Sequence, residues 1–216
     1  MPPCPASHRA HIDAAQACGP SWPMLWFETI RRADALPAAW LIATGEKPRT
    51  RLERSALRHA ISRAVIAAQA GVAVDAVTLD HEPAGRLLVR APSAQGLHAS
   101  HATRDGLVLT ALAMQPVGAD IEAVGEGSIP LAALHPDEQA WLGSLSLDAL
   151  WPGFACLWAA KEAHGKWAGA GLPQTDLNPV LPSQEGGWMV AGRLAPAITT
   201  RLIERDGRRY ALAIAL

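Results

Sequence analysis

The chemistry in this sequence gathers in three short runs. Gly118-Ala119-Asp120-Ile121-Glu122 sets two carboxylates two residues apart. On a strand they share a face while Ile121 turns to the other. Adjacent carboxylates repel, and burying both ionised is costly. A hard divalent cation relieves both problems, and Mg²⁺ suits one or two carboxylates with water and phosphate oxygens. A solvent-facing strand end fits an isolated pair equally well. The second run is Trp158-Ala159-Ala160-Lys161-Glu162-Ala163-His164-Gly165-Lys166. On a helix, Trp158, Glu162 and Lys166 fall along one face, which also suits a surface ion pair. The basic residues are 16 Arg and only three Lys, yet two of the lysines sit in this one run. Lysine is a compact charge that can give up its proton when buried, so a phosphate or proton-transfer role gains weight. The third run is Ala99-Ser100-His101-Ala102. Ser100 and His101 point to opposite faces of a strand and make no nucleophile–base dyad. His98 and His101 offer an alternative metal pair, and loop histidines are the plainer alternative.

These runs need elements to hold them. Leu107–Ala113 reads as a strand, Gln115-Pro116 breaks it, and Val117–Glu122 follows as a second strand. Ser55–Ala70 reads as a helix stopped by Gly71. Pro136 suits the first position of a helix through Leu142. Trp151-Pro152-Gly153 is expected to open a helix from Phe154 to Trp167, ended by Gly169 and Gly171. Met24–Phe27 and Val74–Leu79 suggest strands, with a turn at Pro83-Ala84-Gly85. Asp206-Gly207 signals a hairpin into a terminal strand, Tyr210–Leu216.

Length and charge set the bounds. The chain has 216 residues, half of them apolar, and a formal net charge of −1, which excludes a disordered chain and a polyanion-coating protein. Residues 46–63 hold six basic side chains against two acidic ones, while residues 105–160 contain neither Lys nor Arg. An anion suits the first segment and a cation the second. Three cysteines without metal spacing, no leader-like N-terminus and no long apolar run point to a reduced, cytoplasmic protein without a membrane span.

Taken in order, the Ser-His run, apolar strand, G-x-D-x-E and W-x-x-K-E-x-x-x-K helix resemble the 4′-phosphopantetheinyl transferase family of the larger, single-chain kind. The likeness is strong from Pro83 to Leu172, including Gly169–Leu172, and weaker back to Lys47. It implies transfer of the phosphopantetheine arm of coenzyme A to a serine of an apo acyl or peptidyl carrier protein, leaving adenosine 3′,5′-bisphosphate. Asp120, Glu122 and Glu162 then match the triad that holds Mg²⁺. Glu162 also matches the base toward the carrier serine, and Lys166 the lysine that steadies or protonates the departing phosphate. Lys161, His101, Arg86 and Arg54 match contacts to coenzyme A phosphates, with Arg51 a neighbour. Ala102 and Leu87 depart from the family pattern, and neither removes a metal ligand. The implied fold is α+β, two similar lobes related by pseudo-two-fold symmetry: residues 1–104, with a loose tail at 1–20, and 105–216. Such a chain acts as a monomer on coenzyme A and a carrier, without nucleic acid. A non-catalytic carrier or coenzyme A binder and a metal-dependent hydrolase built on His98, His101, Asp120 and Glu122 are the alternatives.

Overall fold

A computed structural model describes residues 24–83, 85–91, 96–170, 178–183, 186–190 and 197–216. The tail at 1–20, Ala84 of the turn, and Gly171-Leu172 lie outside these residues. In chain order the elements are β1 (Leu25–Phe27), β2 (Ala38–Ala43), α1 (Arg51–Ala70), β3 (Thr78–His81), β4 (Leu87–Ala91), β5 (His98–Arg104), β6 (Leu107–Ala113) and β7 (Gly118–Ala123). There follow α2 (Pro136–Gly143), α3 (Leu147–Ala168), β8 (Val180–Pro182), β9 (Trp188–Val190), β10 (Ile198–Arg205) and β11 (Arg208–Ala215). The class is α+β, as expected.

One sheet runs β1-β2-β6-β5 and a second β7-β11-β10-β9-β8, while β3 and β4 form a separate ribbon. All pairings are antiparallel except β1 with β2. The two main sheets face each other through Leu41, Leu109, Ile121, Leu212 and Ile214. On the outer side of the first sheet, α1 packs Val65 and Ile66 against Trp40 and Leu112. On the outer side of the second, α3 packs Ala155, Ala159 and Ala163 against Ala211, Ala213 and Ala215. Small residues on both surfaces bring α3 close, and Gly118 shows how close: a Cβ there would collide with the Ala163 carbonyl. The glycine of the G-x-D-x-E run is thus a packing requirement.

The boundary expected after residue 104 falls inside a hairpin. β6 pairs with β5 and with β2, so the first sheet runs on to Ala113. Asp105 and Gly106 have φ of 51° and 81°, the left-handed pair of a tight hairpin. Asp206 and Gly207 repeat the turn between β10 and β11, at φ 52° and 70°.

Three local expectations need correction. α1 begins at Arg51, one turn before Ser55, because Thr50 and Glu53 form a reciprocal cap: the Glu53 amide donates to Thr50 Oγ1 at 3.1 Å and the Thr50 amide to Glu53 Oε2 at 3.2 Å. α3 begins at Leu147, so Trp151-Pro152-Gly153 lies within the helix. Pro152 forfeits one bond there, to the carbonyl of Asp148, an exposed residue of the first turn. Val74–Ala76 is a short 3₁₀ turn and the strand starts only at Thr78. Arg63 stabilises that turn, donating to the carbonyls of Val74 at 3.0 Å and Val77 at 3.1 Å. Among the described residues, no helix is long and apolar enough to cross a membrane.

Candidate active site at the seam between the sheets

β5 and β7 belong to different sheets but abut along one edge, and side chains stitch them together. Ser100 on β5 accepts the Ala119 amide at 2.9 Å. Its hydroxyl is thereby committed to the seam, which gives the Ser-His run a positioning role. From α3, Lys166 Nζ donates to Asp120 Oδ1 at 2.6 Å, to the Ala119 carbonyl at 3.0 Å and to the His101 carbonyl at 3.4 Å. One ammonium thus touches both sheets and the first carboxylate of the D-x-E pair.

Asp120 is 6% exposed, and its second oxygen, Oδ2, is buried without a hydrogen-bond partner. Glu122 lies two residues on and pairs with Arg104 at the end of β5. Glu162 comes from α3, one turn before Lys166. Burial pushes the Glu162 carboxyl above its ordinary value and the Asp120 charge adds to it, while Lys166 and Arg104 pull the other way. Glu122 is raised by burial first; Arg104 opposes this, and the Asp120 and Glu162 carboxylates reinforce it. Three half- to fully buried carboxylates, one with an orphaned oxygen, form a donor set that a hard divalent cation satisfies. The same carboxylates do not close to within 4.8 Å as a group, so Arg104 and Lys166 supply the present compensation.

Beside the carboxylates lies a cavity of about 400 Å³ with a cationic wall of Arg51, Arg58, Arg86 and Lys166, and His59 and His81 also line it. α1 contributes a polar stripe, Arg51, Ser55, Arg58, His59 and Ser62, at helical spacing. Ser62 is fully buried and meets His101 Nδ1 at 2.9 Å. Burial and the neighbouring Arg58, His59, Lys166 and His81 hold His101 well below its ordinary value, so its ring is neutral.

The expected site residues therefore divide. Asp120, Glu122, Glu162, Lys166 and His101 gather at the seam. Arg86 lines the cavity, its guanidinium donating to the Trp167 carbonyl at the end of α3 at 2.8 Å. Arg51 lines it as well, whereas Arg54 turns back to the Arg49 carbonyl at 3.4 Å and is not among the lining residues. Lys161, expected to meet phosphate, points elsewhere. It is 1% exposed and its Nζ sits 2.7 and 2.6 Å from the two oxygens of Glu138, itself fully buried on α2. His98, at the start of β5, is three residues from His101 and so on the opposite face. Arg58, His59, His81 and Arg104 join the site without having been singled out in the sequence. The polar stripe along α1, with buried Ser62 in it, carried the signal for the first two.

Residues 116–215 match the 4′-phosphopantetheinyl transferase superfamily. This part of the chain is similar to that superfamily. The matched span holds β7, α2, α3 and the whole second sheet, and with them Asp120, Glu122, Glu162 and Lys166. Arg51, Arg86 and His101 precede it. No curated protein matches the sequence. The match supports a phosphopantetheinyl transferase activity.

Proposed function

We propose that this transferase moves the 4′-phosphopantetheine arm of coenzyme A to a serine hydroxyl of an apo acyl or peptidyl carrier protein, with Mg²⁺, and releases adenosine 3′,5′-bisphosphate. The observation that carries the reading is the meeting of one buried and two half-buried carboxylates with Lys166 beside a cationic cavity. Phosphoryl transfer asks chiefly for positioning and charge neutralisation, and the site offers both signs of charge side by side.

Asp120, Glu122 and Glu162 would hold the Mg²⁺, which when bound neutralises oxygens of the pyrophosphate. Arg51, Arg58, Arg86 and His101 face the phosphates of coenzyme A. The serine oxygen bonds to the phosphorus carrying pantetheine as the bond from that phosphorus to the bridging oxygen breaks. The serine proton passes to Glu162, directly or through one water. Lys166 steadies the departing phosphate and can return a proton to it.

The strand orders support two lobes related by a pseudo-two-fold. Each sheet sets an early strand beside its last strand and that beside the one before, as β2-β6-β5 and β7-β11-β10, with β1 added at the outer edge of the first. Dividing the lobes near Gln115-Pro116 keeps each sheet whole. Since β5 and β7 of one chain build the seam, the proposed active form is a monomer.

The test is incubation with coenzyme A, Mg²⁺ and apo-carriers from fatty-acid, polyketide and peptide systems, with the carriers weighed by mass spectrometry. The expected result is a gain of one phosphopantetheine, lost with EDTA and in Glu162→Gln. Coenzyme A binding without any gain would favour a non-catalytic binder, and absence of binding would overturn the reading.

A further inference from the structure

The cavity beside α1 brings together three imidazoles that the proposed transfer does not need as a set. His59 on α1, His81 at the end of β3 and His101 on β5 each offer a ring nitrogen, and these lie within 4.8 Å of one another. The rings pack mutually, with centroids 5.1, 5.2 and 5.9 Å apart. His59 Nδ1 sits 2.8 Å from the Ser55 carbonyl. A carbonyl only accepts, so Nδ1 carries the proton, and in the neutral ring Nε2 presents its lone pair. His101 Nδ1 is fixed by Ser62 Oγ, which reaches on to Thr110 Oγ1 at 3.1 Å. The other nitrogen of His101, Nε2, is buried without a partner in a residue only 5% exposed. Imidazoles anchored at one nitrogen and bare at the other are how proteins prepare metal ligands.

We propose that His59, His81 and His101 form a binding site for a borderline transition ion such as Zn²⁺, separate from the carboxylates at the seam. A tetrahedral ion about 2.0–2.1 Å from each nitrogen needs them roughly 3.4 Å apart. The rings therefore close by at most about 1.5 Å, a movement within reach of side-chain rotation. Ligand type separates the two sites: imidazole suits Zn²⁺, and Mg²⁺ keeps to oxygen. Charge decides the rest of the coordination. Arg51, Arg58, Arg86 and Lys166 line the same cavity and oppose a bare divalent ion. An anionic fourth ligand, chloride or an oxygen anion, cancels that repulsion. It would also give Arg58 Nε, buried without a partner, an acceptor. The site is thus of the open kind, with three protein ligands and one exchangeable anion.

The experiment uses the full chain, stripped of metal and titrated with Co²⁺ in chloride buffer without coenzyme A or carrier. Four-coordinate Co²⁺ on imidazole absorbs strongly in the visible, and octahedral Co²⁺ on carboxylates absorbs weakly. The expected result is one strongly absorbing ion per chain, retained in excess Mg²⁺ and in Asp120→Asn. His59→Gln and His81→Gln should each weaken it at least about tenfold, in line with the sensitivity of metal sites to their ligand shells. The N-terminal segment also carries Cys4, His8, His11 and Cys18, so the chain with His8→Gln, His11→Gln, Cys4→Ser and Cys18→Ser is the control and should keep the bands. Absence of the bands, their survival in both His59→Gln and His81→Gln, or their loss in the control or in Asp120→Asn would overturn the proposal. The readout is metal binding alone, so its failure leaves the transferase reading intact, and the converse holds.

Discussion

Lys161→Met separates two accounts of the same motif. If Lys161 met phosphate, its loss would weaken coenzyme A binding and leave the fold nearly untouched. The structure requires the opposite. Lys161 and Glu138 are buried together, and Glu138 also accepts the Val180 amide at 2.9 Å and the His135 amide at 2.9 Å. Removing the ammonium leaves a carboxylate in the core with two neutral donors. Breaking a buried pair from one side costs about 3–5 kcal/mol. For a chain of this length that lowers the unfolding temperature by roughly 6–20 °C. The pairing also makes a second, sharper statement. Glu138→Gln added to Lys161→Met removes the stranded charge while its amide oxygen still accepts a backbone N–H, so the double variant should recover about half the loss or more. Urea unfolding of the two single variants and the double variant measures this, and coenzyme A affinity of the folded Lys161→Met protein should stay within about threefold of the parent. A stability loss below about 1 kcal/mol together with a large loss of coenzyme A affinity would refute the reasoning.

Gly118→Ala should cost about 3 kcal/mol or more, because the new methyl meets the Ala163 carbonyl and lies 2.8 Å from the Trp167 amide, both helix backbone; soluble yield and urea unfolding report it. The sign of pH dependence follows from Glu162. Its native carboxyl binds a proton more readily than the unfolded chain does, so stability falls as pH rises from the ordinary glutamate value of 4.5 through the raised native one, and the penalty persists above it. Metal-free Glu162→Gln should therefore unfold at higher urea than the parent at pH 7.5 and at equal urea near pH 4; a destabilised variant at pH 7.5 would contradict this. Arg104→Met frees Glu122 from its ion pair and should tighten Mg²⁺ binding by about tenfold, read by calorimetry.

Local signals were legible and long-range ones were not. β6 and β7 show themselves by their apolar runs and the intervening Gln115-Pro116, α2 by Pro136, and the last hairpin by Asp206-Gly207. β2 went unread because a short apolar run such as Ala38–Ala43 does not by itself tell strand from helix, and its partners, Leu25–Phe27 and Leu107–Leu112, are distant in sequence. The three motifs placed Asp120, Glu122, Glu162, Lys166 and His101 in one neighbourhood, since each lies at a fixed offset on its own strand or helix. Lys161 was misjudged although its helix phase was available. Five residues turn an α-helix by about 500°, leaving Lys161 and Lys166 roughly 140° apart. One therefore reaches the seam while the other enters the packing of α2. Arg58, His59 and His81 converge from α1 and β3 only after the ribbon and helix have docked on β5. Arg104 meets Glu122 only because the two sheets abut.

Lys166 has one more consequence. An ammonium owns three N–H bonds, and in this structure all three are engaged, by Asp120, Ala119 and His101. It holds no donor in reserve. A phosphate arriving at the seam must therefore win one of these bonds, and the longest, to the His101 carbonyl at 3.4 Å, is the one most readily surrendered. The same lysine fastens the sheets and serves the substrate, so each exchange of a phosphate group at the seam loosens and refastens the join between them.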